Sequence, residues 1–219
     1  MSETPYWTAQ DFAEHSNVPH GTFSDFTRWY GLLRKWNARI NLVAPKEVDQ
    51  FWHRHAYDSW QLTTHLPQNW NRLVDLGSGG GFPGLAFGIF AKQKTAKTPS
   101  QNPGQQVHLV ESVGKKTSFL KTVTRELGLP VTVHTDRVEN LPPLKADVLT
   151  ARAFAPLPRL FTFAQPHLTE SAVLLLPKGE SADKEIESAR EGWHFDVESF
   201  KSETDSAAAI LRITDLRAK

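Results

Sequence analysis

The stretch Leu73-Val74-Asp75-Leu76-Gly77-Ser78-Gly79-Gly80-Gly81-Phe82-Pro83-Gly84 decides the fold. An apolar run ends in an acidic residue, a glycine-rich turn follows, and a helical pattern begins near Pro83. This order of strand, loop and helix lets the backbone approach a nucleotide-like ligand closely, because glycine has no side chain and helix N-terminal amides attract anionic groups. The stretch therefore predicts the first strand–helix unit of a Rossmann-like sheet.

The spacing of the glycines separates two ligand classes. A dinucleotide fingerprint, G-x-G-x-x-G counted from Gly77, requires glycine where this chain has Phe82. The pattern D-x-G-x-G-x-G is matched at every position by Asp75, Gly77, Gly79 and Gly81. This second pattern is typical of Rossmann-like methyltransferases that bind S-adenosylmethionine, so we expect Gly77 and Gly79 to contact that cofactor.

Composition restricts the possible partners. The chain has 219 residues, 39% of them hydrophobic, and a net charge of +1, so nucleic acid would have to be bound by a local basic patch. Residues 1–5 lack the basic and apolar regions of a secretory signal. The apolar stretch 73–91 contains Asp75 and many glycines, which is unlike a membrane span. We expect a cytoplasmic protein without membrane contact.

The absence of cysteine excludes several kinds of chemistry. Disulfides, thiolate metal ligands and a cysteine nucleophile are all ruled out. Methylation of carbon 5 of cytosine or uracil normally uses a cysteine adduct, so an acceptor atom with a free lone pair is favoured. His53 and His55 are not accompanied by carboxylates or histidines at metal-ligand spacing, so we expect no metal.

The hydrophobic pattern changes near position 70. Residues 1–70 are predicted to form an N-terminal helical extension, and residues 71–219 a Rossmann-like methyltransferase domain. In the extension, Thr8 has the pattern of a helix N-cap. A second helix is predicted over about 21–39 and a third over about 45–65, with a proline at the first position of the third.

Strands and helices alternate beyond position 70, which predicts an α/β fold with a mostly parallel, seven-stranded sheet. The strands are predicted at 72–76, 107–111, 131–135, 146–151, 171–177, 194–202 and 207–214. The helices are predicted near 83–91, 115–127, 157–168 and 181–190. A short link joins the last two strands, so they should form an antiparallel pair. Residues 92–106 are polar and are predicted to form a flexible surface loop.

Polar residues follow the predicted strands at the edge where ligands bind in such sheets. Glu111 ends the second strand, where a carboxylate accepts hydrogen bonds from ribose hydroxyls. Residues 136–140 follow the third strand and are candidates to flank adenine. Arg152 and Phe154 follow the fourth strand, where amino-group methyltransferases carry an Asn/Asp-Pro-Pro-aromatic motif that is absent here. They offer a cation and an aromatic face for a base.

The helical extension contains a local basic cluster. Arg28, Arg34, Lys35 and Arg39 occur without an intervening acid, among several aromatic residues. Basic and aromatic residues together suit RNA. The alternative, that the aromatic residues only pack the helices, remains open at this point.

Seven motifs together resemble one family, the bacterial GidB/RsmG family of small-subunit ribosomal RNA (guanine-N7) methyltransferases. The resemblance extends over about residues 20–215. The motifs are Lys35-Trp36-Asn37-Ala38-Arg39-Ile40-Asn41-Leu42, His55-Ala56-Tyr57-Asp58-Ser59, the glycine loop ending Phe82-Pro83-Gly84, Ser112-Val113-Gly114-Lys115-Lys116, Arg137-Val138-Glu139, Arg152-Ala153-Phe154-Ala155 and Leu176-Pro177-Lys178-Gly179.

The resemblance implies methyl transfer from S-adenosylmethionine to guanine N7 in a decoding-region loop of 16S ribosomal RNA, with the RNA or the small ribosomal subunit as partner. The implied cofactor-binding residues are Gly77, Gly79, Phe82, Glu111, Val138, Glu139 and Arg152. The residues expected to bind RNA are Arg34, Lys35, Arg39, His55, Lys115, Lys116, Arg137 and Lys178. Asn41, His55 and Asp58 match motif positions for which the sequence gives no role.

The implied reaction needs no general base, because guanine N7 carries a lone pair and no proton at neutral pH. The protein would act by alignment and exclusion of water. The alternatives are a methyltransferase for a small molecule or a protein, a nucleotide-responsive RNA-binding protein without catalysis and, more distantly, an NAD-dependent oxidoreductase. No long heptad repeat is present, so we expect a monomer.

Overall fold

The computed structural model describes residues 6–97 and 104–219 and shows a seven-stranded sheet in the order β3-β2-β1-β4-β5-β7-β6. The strands are β1 Arg72–Leu76, β2 Gln106–Val110, β3 Val131–His134, β4 Ala146–Ala151, β5 Leu168–Lys178, β6 Trp193–Lys201 and β7 Ala209–Ala218. Strands β1 to β5 are parallel, and β7 is antiparallel to both of its neighbours. The predicted α/β fold with an antiparallel C-terminal pair is confirmed.

Eight α-helices are found in the described part of the chain. They are α1 Ala9–Ser16, α2 His20–Asn37, α3 Pro45–Val48, α4 Asp58–Trp60, α5 Gly84–Lys97, α6 Gly114–Leu127, α7 Leu157–Ala164 and α8 Ala182–Gly192. The predicted cap of α1 is present, since the Thr8 hydroxyl accepts from the Asp11 amide at 3.3 Å and the Asp11 carboxylate accepts from the Thr8 amide at 2.7 Å. These reciprocal bonds satisfy two backbone donors at the start of α1.

The third predicted helix, over 45–65, is wrong as a single α-helix. Helix α3 ends at Val48, Phe51–Tyr57 forms a π-helix, α4 follows directly, and Gln61–His65 is a 3-10 turn. Six of the seven residues of the π-helical segment are buried. The segment is packed into the core on nearly every side, and hydrophobic spacing in the sequence does not reveal its local winding. Such π-helical segments are frequent at functional sites.

The predicted surface loop at 92–106 is wrong over its first part, because α5 continues to Lys97. The Lys92 ammonium lies 2.8 Å from a carboxylate oxygen of Asp25, which is itself buried. This ion pair ties α5 to α2, and the anchored polar segment remains helical. The part of the predicted loop at 98–103 lies outside the described residues.

Two hydrophobic cores cover the two faces of the sheet. The first lies between the sheet and helices α1, α2, α5 and α6, together with the π-helical segment. The second lies between the sheet and helices α7 and α8. In the first core, Trp29 of α2 stacks on Phe82 of the glycine loop, with ring centroids 4.8 Å apart. The N-terminal helices therefore support the loop directly, and the domain boundary near position 70 stays a prediction.

The sheet topology places the glycine loop and the turn between β6 and β7 at the same edge of the sheet. Strands β1 to β5 all end at the carboxyl edge, where ligands bind in open α/β sheets. Strand β6 is antiparallel to β7, which is antiparallel to β5, so β6 also ends at this edge. The turn between β6 and β7, residues 202–208, therefore lies on the same side of the sheet as the glycine loop.

Candidate cofactor and substrate site

A cavity of about 760 Å³ opens at the carboxyl edge of the sheet. Its walls come from the glycine loop, the π-helical segment, the segments after β4 and β5, and the β6–β7 turn. Six of the residues predicted to bind the cofactor or RNA line it, namely His55, Gly77, Gly79, Phe82, Arg152 and Lys178.

The glycine loop has a backbone that requires glycine. Gly77, Gly79 and Gly81 have φ angles of 69°, 53° and 96°. Residues with a side chain adopt this left-handed backbone only at a cost in conformational energy. A Cβ atom on Gly77 would lie 2.5 Å from Cδ2 of Phe154. The Gly77 amide donates to the carbonyl of Val110 at 2.9 Å, which holds the loop against β2. This bare backbone at a strand end fits a nucleoside-bearing cofactor.

Glu111 follows β2 and is largely buried, at 7% exposure. One carboxylate oxygen accepts from the Gly79 amide at 3.0 Å, and the other accepts from the Val113 amide at 2.8 Å. Glu111 thus links the glycine loop to the start of α6. Each carboxylate oxygen has a second lone pair, so this arrangement leaves capacity for the ribose hydroxyls that the sequence assigned to it.

The segment after β3 forms a short 3-10 turn, Val138–Asn140. Val138 is buried, whereas Glu139 is exposed. The carboxylate of Asp136 accepts from the Arg137 amide and from the Asn140 side chain, both at 2.7 Å. Neither Val138 nor Glu139 lines the cavity. The predicted cofactor residues therefore fall into two groups, one beside β2 and β3 and one in the cavity, with the glycine loop between them.

Arg152 is bound on three sides within the cavity wall. Its guanidinium donates to the carboxylate of Asp58 at 3.1 Å, to the carbonyl of Arg54 at 3.2 Å, and to Nδ1 of His55 at 3.0 Å. It also lies 5.1 Å from the centroid of the Phe82 ring. The charge of Arg152 is thus balanced by Asp58, and its orientation is fixed by contacts from the π-helical segment and α4.

His55 is neutral in this arrangement. A guanidinium only donates hydrogen bonds, so Nδ1 of His55 is the acceptor and Nε2 carries the proton. Burial, with the charges of Arg152 and Arg54, lowers the pKa of His55 to about 2. The imidazole stacks on Phe82 with ring centroids 4.4 Å apart. His55 therefore supports Phe82 and Arg152, and it presents no free basic nitrogen to the cavity.

Asp75, the acid of the glycine motif, is completely buried. Burial raises the pKa of Asp75 to about 7, and the nearby Ser78 hydroxyl and Gly84 amide only partly oppose this effect. Neither carboxylate oxygen has a hydrogen-bond partner with good geometry among the described residues. A Cβ atom on Gly84 would lie 2.5 Å from one of these oxygens. Asp75 thus sits under the start of α5, where only glycine fits.

Lys178, predicted to face RNA, is held inside the wall of the cavity. Its ammonium lies 2.8 Å from the Glu185 carboxylate and donates to the carbonyl of Ala155 at 3.0 Å. The side chain is 11% exposed. This pairing joins the segment after β4 to α8.

The other residues predicted to bind RNA lie outside the cavity. Arg34, Lys35, Arg39, Lys115 and Arg137 are exposed, and Lys116 is half-buried. Trp36 of α2 packs against Phe119 of α6 with ring centroids 5.9 Å apart. The basic residues of α2 and those at the start of α6 therefore lie on neighbouring helices.

The family model described as rRNA small subunit methyltransferase G matches residues 22–210. The chain belongs to the rRNA small subunit methyltransferase G family. Two relatives with the name Ribosomal RNA small subunit methyltransferase G are each 42% identical to it. The one from Cereibacter sphaeroides aligns over 91% of this chain and 94% of its own length. The one from Hyphomonas neptunium aligns over 94% and 93%.

Solved structures with a similar fold are more distant in sequence. An O-methyltransferase from Bacillus cereus, in complex with SAH, gives a TM-score of 0.61 at 15% identity and covers 95% of this chain and 98% of its own. TYW2 from M. jannaschii, in complex with AdoMet, gives a TM-score of 0.51 at 13% identity and covers 83% and 80%. These likenesses support the Rossmann-like fold, and the family resemblance inferred from the motifs is confirmed by the family match.

The sequence analysis missed the contribution of the β6–β7 turn. Thr204, Asp205 and Ser206 line the cavity, and the sheet order places their turn beyond β4 and β5 from the glycine loop. The sequence signal that could have identified this turn is the polar run at 202–206, which lies between two strands. Its position at the carboxyl edge follows only from the reversed direction of β7.

Residues 6–97 and 104–219 contain no group of three or more His, Cys, Asp or Glu side chains that could hold a metal ion. None of the helices in these ranges is both long and apolar enough to cross a membrane.

Proposed function

We propose that this chain transfers a methyl group from S-adenosylmethionine to N7 of a guanine in the decoding region of small-subunit 16S ribosomal RNA. The observation that carries the proposal is the glycine loop that borders a cavity large enough for a nucleobase, in a chain of the rRNA small subunit methyltransferase G family. The relatives named above act, by their names, on small-subunit ribosomal RNA. The monomeric state and the cytoplasmic location are parts of the same proposal.

The site fits S-adenosylmethionine in two respects. The loop at Gly77 and Gly79 presents backbone without side chains, as a closely approaching nucleoside requires. Beside it, Glu111 supplies a carboxylate for ribose, and Val138 and Glu139 follow the neighbouring strand. When bound, the cofactor supplies a methyl group carried on a positively charged sulfur. After the transfer, that sulfur is part of a neutral thioether, which is the leaving group.

The acceptor atom needs no deprotonation. Guanine N7 carries a lone pair, which forms the new bond to carbon, and the purine gains the positive charge. This agrees with a cavity in which Asp58 is paired with Arg152, Nδ1 of His55 accepts from Arg152, and the protonated Nε2 of His55 is buried. The side chains of the site therefore act by positioning the base and excluding water.

We assign Arg152 to the cofactor or to a phosphate rather than to N7. A fixed cation beside a base that becomes positively charged would oppose the reaction. Phe82 lines the cavity, and its ring is packed against Trp29, His55 and Arg152. The exposed basic residues of α2, of α6 and at Arg137 would bind the phosphates of the surrounding RNA.

The proposal is tested by giving the protein labelled S-adenosylmethionine with separate preparations of small subunits, large subunits and cell-extract protein. All come from cells that lack this enzyme. We expect label in small-subunit RNA alone. Gly77→Ala should abolish the label, because its Cβ would strike Phe154, whereas Gly21→Ala has no atom within 4 Å and serves as the control. Label that enters protein or large subunits and not small-subunit RNA would contradict the proposal.

A further inference from the structure

The β6–β7 turn presents a carboxylate to the substrate cavity. We propose that Asp205 of this turn recognises the Watson–Crick edge of the target guanine by accepting hydrogen bonds from N1–H and the 2-amino group. This inference rests on the proposed function, since it requires a guanine in the cavity. Enzymes that act on an unstacked base commonly read that edge in this way.

The turn is held rigidly against the helical region. The Thr204 hydroxyl donates to Asp58 at 2.6 Å, and the Gln61 side chain accepts from the Glu203 amide at 2.9 Å. Tyr57 also donates to the Glu203 carboxylate. An ordinary hairpin turn is mobile and solvated. This one has a fixed position on the cavity wall, as recognition of a base requires.

Asp205 differs from the other acids of the cavity in its free bonding capacity. Both oxygens of Asp58 accept from neighbouring side chains, and Glu47 is paired with Arg54 at 3.3 Å. Asp205 is exposed, and one of its oxygens accepts from the Ala207 amide at 2.9 Å, which restrains the side chain. Its other oxygen has no partner among the described residues. Asp205 therefore offers an oriented acceptor to a ligand.

The sheet geometry sets the separation between the two walls. Strands β4 and β5 lie between β1 and β7, and adjacent strands are about 4.8 Å apart, so the glycine loop and the turn are separated by roughly 14 Å. This gap has to hold the sulfonium methyl group of the cofactor, at the glycine loop, and the planar base beyond it. If guanine N7 faces that methyl group, the N1 and 2-amino groups of the base face the opposite wall, where Asp205 lies.

The chemistry of the two partners is complementary. An ionised carboxylate only accepts hydrogen bonds, and guanine presents two adjacent donors on this edge. Adenine has an acceptor at N1 and would be rejected. Methylation at N7 makes the ring cationic and N1–H more acidic, so the bond to Asp205 strengthens as the reaction proceeds. Asp205 should then affect kcat as well as KM.

The test replaces the target guanine, identified as the nucleotide that the wild-type protein labels, by inosine in reconstituted small subunits. Inosine keeps N7 and N1–H and lacks the 2-amino group. We expect wild-type kcat/KM to fall about 10-fold on inosine, and Asp205→Ala to be about 10- to 100-fold slower on guanine with little preference between the two bases. Asp205→Asn, which keeps the size of the side chain, should also be slow on guanine.

The controls separate recognition from folding. Asp215→Asn removes an exposed carboxylate elsewhere on β7 and should behave as wild type. The dissociation constant for S-adenosylmethionine should be the same for all variants. If Asp205→Ala and Asp205→Asn retain the wild-type preference for guanine over inosine, Asp205 is not the recognition residue. If the wild type does not methylate guanine N7 at all, the proposed function itself fails.

Discussion

The buried carboxyl of Asp75 gives the stability of this protein a specific dependence on pH. Its pKa is raised from 3.8 to about 7 by complete burial. Between these values the unfolded chain releases the proton while the folded protein retains it. The stabilisation is therefore fully present below pH 3.8 and is lost as the pH rises to about 7. At about 1.4 kcal/mol per pH unit, the total loss is about 4 kcal/mol.

The substitution Asp75→Asn isolates this effect. The fixed cost or gain of the amide does not vary with pH, whereas the carboxyl contribution does. The variant should therefore gain stability relative to the wild type by about 1.4 kcal/mol per pH unit between pH 5 and pH 7, with no further gain at higher pH. Urea unfolding without cofactor, followed by tryptophan fluorescence, measures the free energies.

The exposed Asp215 supplies the matched control, because Asp215→Asn removes a carboxyl that is not buried. Its stability difference from the wild type should change little over the same pH range. A constant difference between Asp75→Asn and the wild type from pH 5 to pH 8 would show that the Asp75 carboxyl is ionised normally in the folded protein. The description of Asp75 as a completely buried carboxyl beneath the start of α5 would then be wrong.

Three further changes address the site. Gly77→Ala should lower the free energy of unfolding, measured in urea, by about 2–4 kcal/mol and should abolish cofactor binding. The reasons are the left-handed φ of Gly77 and the contact that a Cβ atom would make with Phe154. Unimpaired cofactor binding in calorimetry would contradict this prediction. Arg152→Lys keeps the charge but loses the fork that joins Asp58 and His55, and we expect about 10-fold weaker cofactor binding in calorimetry. Unchanged affinity and turnover would refute the assignment of Arg152. Thr204→Val removes the hydroxyl bound to Asp58, and we expect a loss of roughly 1 kcal/mol in urea unfolding. The KM for small subunits should also rise in steady-state assays at constant cofactor affinity, and an unaltered KM would show that the turn is not a substrate wall.

The sheet could be predicted from local sequence because each strand ends in a recognisable signal. The predicted strand 72–76 coincides with β1, and the glycine pattern after it identified the loop. Helix ends were less predictable where tertiary contacts decide them. The ion pair of Lys92 with Asp25 extends α5, and it joins residues far apart in the chain.

The chemistry of the cavity depends on contacts that local patterns do not contain. Arg152 reaches Asp58 across 94 positions of sequence, and Thr204 reaches it across 146. The sequence marked Arg152 and Asp58 separately but could not pair them. For Lys178 the sequence predicted a contact with RNA, but the structure pairs this lysine with Glu185. Glu185 is near in the chain, yet the turn before α8 is what brings it to the lysine.

The most direct test of the central claim is the identity of the methylated nucleoside. Small subunits from cells without the enzyme are incubated with the protein and S-adenosylmethionine, and the 16S ribosomal RNA is digested and analysed by mass spectrometry. The account requires one new 7-methylguanosine, absent when Gly77→Ala replaces the wild type. A methyl group on any other atom of the RNA, with cofactor binding intact, would contradict a site built to align guanine N7 without a base.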